Sequence, residues 1–157
     1  MSCLSASRNV FTRKSGGTFF AALLEALATS RQPVSKSSEC SSLTTLDLSE
    51  CGLEDADVAE HLKMILAHEK NMLTHLCLKG NRLGSKCAGV FANAFRGTSC
   101  GNRCCRLVSL DIGRNCLGWN GTMGMLNAVG SYSPITGRKL QVLRLENTCG
   151  LATEVHF

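Results

Sequence analysis

Aromatic side chains are scarce: one Trp, one Tyr and six Phe in 157 residues. Proteins that read nucleic acids by stacking need aromatic platforms, and this chain has few to offer. Charge is thin as well. Asp, Glu, Lys and Arg make up 18% of the residues, below the roughly one quarter of an average globular protein. The formal net charge of +5 falls well short of the clustered positive stripe that tracks a phosphate backbone. No nucleic-acid partner is therefore expected. Long apolar runs are also missing. The longest, Phe19 to Leu27, is interrupted by Glu25 and is far shorter than the ~18 residues of a membrane span, so no transmembrane segment is expected. Arg8, Arg13 and Lys14 ahead of this run imitate a targeting peptide, but a charge inside so short an apolar core argues against one.

What the chain does have is ten Cys and 22 Leu, within a hydrophobic content of 44%. That is enough apolar material for one packed core at this length. The leucines fall in register. Leu43-Thr-Thr-Leu46-Asp-Leu48-Ser-Glu-Cys51-Gly-Leu53 aligns with Leu73-Thr-His-Leu76-Cys-Leu78-Lys-Gly-Asn81-Arg-Leu83 and with Leu107-Val-Ser-Leu110-Asp-Ile112-Gly-Arg-Asn115-Cys-Leu117. All three follow L-x-x-L-x-L-x-x-N/C-x-L, the strand-and-turn signature of a leucine-rich repeat. A fourth copy begins at Leu140 and places Thr148 where Asn or Cys stands elsewhere. A degraded fifth puts Met1, Leu4, Ala6, Asn9 and Phe11 at the same offsets.

Starts at 43, 73, 107 and 140 give spacings of 30, 34 and 33 residues, longer than the usual ~20–29. The extra length suits a full helix behind each strand. Val58, Leu62, Ile65 and Leu66 recur at helical spacing, with Asp55, Asp57 and Glu60 toward the positive end of the helix dipole. Ala88, Phe91, Ala92 and Phe95 predict a second helix; Met123, Leu126 and Val129 predict a third. Phe20, Leu23, Leu24 and Leu27 fit a helix in the front repeat. A strand and a helix of this kind cannot bury their apolar faces alone, so the repeats must stack.

The expected fold is thus α/β: a leucine-rich repeat solenoid, or horseshoe, with parallel strands on the concave face and helices on the convex face. Residues 1–157 read as one domain of four to five repeats, with strands near 3–8, 45–50, 75–80, 109–114 and 142–147. Neither end offers a polar cap, so the expectation is an uncapped fragment of a longer solenoid.

The cysteines follow the ladder. Cys51 fills the Asn/Cys place, Cys3 and Cys77 lie on strands, and Cys87 lies on a helix. This is the pattern of packing thiols in a reducing compartment, and a cytoplasmic location follows. Cys100, Cys104 and Cys105 form the one cluster with metal-like proximity, yet no second spaced pair accompanies it. His68-Glu69 lacks the second His of a zincin helix, since Met72 holds its place. Gly80 to Lys86 is one residue short of a phosphate loop, and Gly118, Gly121 and Gly124 are evenly spaced, unlike a dinucleotide fingerprint. Neither a catalytic constellation, a metal site nor a cofactor is expected, and the chain reads as a non-enzyme.

Binding is expected on the strand face opposite the leucines, because strand side chains alternate. Alternation assigns to it Thr45, Asp47, Ser49 and Glu50; His75, Lys79 and Gly80; Ser109, Asp111, Gly113 and Arg114; and Val142, Arg144, Glu146 and Asn147. Acids and bases interleave there, which suits a folded protein partner better than a polyanion. Arg114 and Arg144 are the residue types that most often carry binding energy. Trp119, just behind the strand, is expected to pack on the helix side.

The long repeats with full helices resemble the ribonuclease-inhibitor type of leucine-rich repeat, a horseshoe used for protein recognition. More narrowly, Asn9-Val-Phe11-Thr-Arg13-Lys14, Phe20-Ala-Ala-Leu-Leu-Glu-Ala-Leu-Ala28, Leu43-Thr-Thr-Leu-Asp-Leu-Ser49 and Leu107-Val-Ser-Leu-Asp-Ile-Gly113 resemble the leucine-rich region of the CARMIL family, scaffold proteins that regulate actin capping protein. This resemblance implies a cytoplasmic, membrane- or cytoskeleton-associated interaction scaffold. The capping-protein-binding, lipid-binding and dimerising segments of that family have no counterpart here. A generic recognition module of the ribonuclease-inhibitor or sensor type is the alternative, and a zinc- or thiol-dependent enzyme centred on Cys100, Cys104 and Cys105 is a remote one.

Overall fold

The computed structural model describes residues 3–9, 18–19, 22, 43–68, 71–96, 106–130, 140–148 and 154–156. The helix expected from Phe20, Leu23, Leu24 and Leu27 and the Cys100/Cys104/Cys105 cluster lie outside these residues. Five short strands, β1 (Cys3–Ser5), β2 (Thr45–Asp47), β3 (His75–Cys77), β4 (Ser109–Asp111) and β5 (Val142–Arg144), form a parallel sheet in chain order. Their registers place Leu4, Leu46, Leu76, Leu110 and Leu143 side by side. One row of leucines therefore runs across the whole sheet, and it is buried from Leu46 onward. The degraded front repeat contributes a genuine strand in phase with the rest.

Each strand is three residues long, half of what alternation predicts. The chain turns immediately afterward because a buried side chain at the Asn/Cys place collects the turn's backbone groups. Asn81 accepts from the N–H groups of Cys51 and Leu53, each at 3.0 Å, and donates to the carbonyls of Leu48 (2.9 Å) and Leu78 (2.7 Å). Asn115 accepts from Leu83 N–H (2.9 Å) and donates to the carbonyls of Leu78 and Ile112 at 2.9 Å and of Gly113 at 3.0 Å. Cys51 donates its thiol to Ala6 O (3.1 Å) and Ser49 O (3.3 Å), and Thr148 donates to Leu145 O (2.9 Å). Buried backbone groups left unpaired cost roughly 1–3 kcal/mol each, so this ladder fixes both the turn and the stacking of one repeat on the next.

Behind the sheet lie α1 (Asp55–Ala67), α2 (Ser85–Arg96) and α3 (Gly118–Gly130), with α2 packed between the other two. The Asp57 carboxylate accepts the Glu54 N–H (3.2 Å) at the start of α1, and Val58, Leu62, Ile65 and Leu66 face the core. Phe91 and Phe95 stack along α2 with ring centroids 6.3 Å apart. In α3 the inward face departs from expectation. Thr122, Met125, Ala128 and Val129 are buried, whereas Met123 and Leu126 are only partly covered. The Thr122 hydroxyl decides this rotation, since it bonds Gly118 O (2.9 Å) and lies 3.3 Å from the Thr148 hydroxyl.

A sixth strand, β6 (Glu154–His156), pairs antiparallel with β5. The repeat pattern gives no sign of it, because nothing after Asn147 continues the leucine register. Its hydrogen bonds cover the otherwise open edge of β5 and thereby limit edge-to-edge association.

Candidate functional site

With the leucines turned toward the helices, residues on either side of each strand's central leucine face outward. The register sets Thr45, His75, Ser109 and Val142 in one row and Asp47, Cys77, Asp111 and Arg144 in the next. The polar and charged residues expected to bind a partner are thereby brought to one face. Glu50, His75, Arg114 and Arg144 are exposed; Thr45, Asp47, Ser49, Lys79, Asp111 and Glu146 are half-buried. Gly113, also assigned to this face, is buried.

Local bonds hold several of these side chains in place. Asp47 Oδ1 accepts from Ser49 N–H (2.9 Å) and Ser49 Oγ (2.7 Å), and Asp111 Oδ1 accepts from Gly113 N–H (3.1 Å). Both carboxylates therefore brace the turn that follows their strand. Between them, burial and the neighbouring Asp111 and Asp47 charges push the Cys77 thiol above its ordinary range.

Glu146 is the centre of the face. It forms an ion pair with Lys79, two strands away, and its Oε1 lies 3.8 Å from Arg114 Nε. The reach is possible because Gly113 stands between them: a Cβ there would lie 2.7 Å from Glu146 Cγ. The shared hydrogen bond raises the Lys79 pKa and lowers that of Glu146. Arg8 and Glu50 form a second cross-strand pair at 3.2 Å. Exposed pairs of this kind are worth little in stability, but they set the orientation of the charges that a partner meets.

Burial pushes the thiols of Cys51, Cys77 and Cys87 above their ordinary range, which disfavours the reactive thiolate at these three positions. No group of three or more His, Cys, Asp or Glu among the described residues is placed to hold a metal ion. Trp119 is 58% exposed, contrary to the packed role expected for it. It stands at the first turn of α3, at the same repeat offset as Asp55 and Ser85, which are likewise not buried. Repeat alignment carried past the turn would have shown this.

Sequence reasoning placed Asp55 at the start of its own helix and missed its link to the next repeat. Its carboxylate crosses to the next repeat and accepts from the N–H groups of Gly84 (2.8 Å), Lys86 (3.0 Å) and Cys87 (3.2 Å). One repeat thus caps the helix of the next. Burial opposes ionisation of Asp55, but these bonds together with the Cys87 thiol hold its pKa below the usual carboxylate value.

The comparisons agree with the repeat geometry. A family described as Leucine Rich repeat matches residues 39–59. The tropomodulin C-terminal domain of Caenorhabditis elegans superposes with a TM-score of 0.58 at 14% identity, over 98% of this chain and 75% of that one. Leiomodin-1 actin-binding site 2 superposes with a TM-score of 0.59 at 15% identity, over 97% of this chain and 73% of that one. No curated protein matches. The fold is thus similar to that of leucine-rich repeat domains. No helix among the described residues is long and apolar enough to cross a membrane.

Proposed function

We propose that this chain is a non-catalytic interaction scaffold that binds a folded protein of the actin cytoskeleton through the concave face of a leucine-rich repeat solenoid. The observation that carries the reading is the charged row held on the open sheet face. Asp47, Glu50 and Asp111 alternate with Lys79, Arg114 and Arg144, and Glu146 locks two of the cations in place. A preorganised mixed-sign surface selects a complementary protein surface and rejects mismatched ones. The fold likeness to leiomodin-1 actin-binding site 2 supports actin as the partner, and the resemblance to CARMIL leucine-rich regions supports the same cytoskeletal setting. Buried Cys51 and Cys87, used as packing groups, suit a cytoplasmic protein.

Binding of the purified chain to actin monomers and to filaments tests the reading, with actin capping protein as a second bait for the CARMIL-like version. Arg114→Glu combined with Arg144→Glu is expected to weaken actin binding about tenfold or more, the loss of roughly 1.4 kcal/mol. Undiminished binding by the double variant would refute use of the concave face. Binding to capping protein alone would shift the assignment from actin to capping regulation. Failure with both baits would leave a ribonuclease-inhibitor-like recognition module for another protein.

A further inference from the structure

The residue seven places beyond the start of the repeat, in the turn that follows each strand, has a left-handed backbone in all five described repeats. It is Arg8 (φ 61°), Glu50 (54°), Gly80 (70°), Arg114 (53°) and Asn147 (55°). Gly80 shows that glycine satisfies this position, and asparagine at 147 is the least strained alternative. Arg8, Glu50 and Arg114 each carry a full side chain there, which disfavours the fold roughly fivefold or more per residue. Their ion pairs recover little of it, because the side chains are 82%, 49% and 59% exposed respectively. Strain kept at exposed charged positions marks a surface used for contact.

We propose that Glu50 and Arg114, held in left-handed turns along one rim of the sheet, are the main partner-contacting charges of this protein, and that they are retained against the stability of the fold. The inference rests on the actin-binding reading above and specifies which residues of that face contact the partner. They belong to repeats two strands apart, and strand spacing puts them about 10 Å from each other. The partner surface they fit is that of a folded protein with a Lys or Arg and an Asp or Glu at about that separation, the cation meeting Glu50 and the carboxylate meeting Arg114. Arg8, which pairs with Glu50, orients that carboxylate along the rim.

The test is a pair of asparagine substitutions, Glu50→Asn and Arg114→Asn, alone and together. Asparagine keeps the left-handed turn and removes the charge. Urea unfolding followed by circular dichroism is expected to show midpoints equal to or above wild type. Actin affinity is expected to fall about fivefold for each variant and about 25-fold for both, as separate sites combine. Lowered midpoints, or variants that bind actin as wild type does while the wild-type chain binds, would overturn the inference and leave the actin reading standing. A wild-type chain that does not bind actin would overturn both.

Discussion

Asp55→Ala removes the tie between the first two helices, and its effect follows from the bonds it breaks. The carboxylate accepts three backbone N–H groups at the start of α2, at 2.8, 3.0 and 3.2 Å. The Lys86 bond is exposed, so water replaces it at little cost. The Gly84 and Cys87 bonds are part-buried, and leaving those donors unpaired costs about 1 kcal/mol each. Loss of a negative charge at a helix N-terminus adds about 0.3–1 kcal/mol. The expected destabilisation is about 2–3 kcal/mol, at or slightly above the upper end for a lost helix cap. Asp55→Asn keeps an acceptor and loses the charge, so about 1 kcal/mol is expected.

Urea unfolding at pH 7, with unchanged m-values, measures both variants. The pH dependence gives a second check. Because the folded state lowers the pKa of Asp55, its contribution is complete above the unfolded value, about 3.9, and fades as pH falls through the lower folded value. The gap between wild type and Asp55→Ala must therefore narrow in acid. A loss below about 0.5 kcal/mol at pH 7, or a gap that stays constant into strong acid, would refute the capping argument.

Other perturbations separate the remaining forces. Leu110→Ala empties a fully buried place in the central leucine row and should cost about 2–5 kcal/mol by thermal or urea unfolding. Asn81→Ala strips partners from the backbone groups of two turns and should cost about 2–4 kcal/mol; Asn81→Cys should cost less, as Cys51 serves the same place. Gly113→Ala should break the Lys79–Glu146 pair, because its Cβ would collide with the Glu146 stem; a double-mutant cycle of Lys79→Met and Glu146→Gln, run with and without Gly113→Ala, should show the coupling vanish. Glu146, whose pKa is lowered in the fold, should contribute its pairing above about pH 4.3 and lose it as pH falls through its folded value, seen by carboxyl titration in NMR.

The amino-acid sequence by itself determined the repeat. Leucines at fixed offsets dictate a buried row, and an Asn, Cys or Thr eight places after each repeat start supplies the groups that close the turn. From these the parallel register of β1 to β5 and the inner faces of α1 and α2 were legible, as was the grouping of the charged residues on one side. Local pattern carries this information because it depends only on which side chains must leave water and which backbone groups must be paired.

Tertiary structure alone decided the rest. The rotation of α3 is set by Thr122 meeting Thr148, 26 residues away. The charge display is set by Glu146 crossing the space left by Gly113 to reach Lys79, and β6 closes the sheet edge without any leucine signature. Asp55 became a structural anchor only when stacking brought the next helix to it. Each of these depends on contact between different repeats. Period and composition specify what one repeat needs, but the partners that satisfy it across the stack are fixed only when the repeats are packed together.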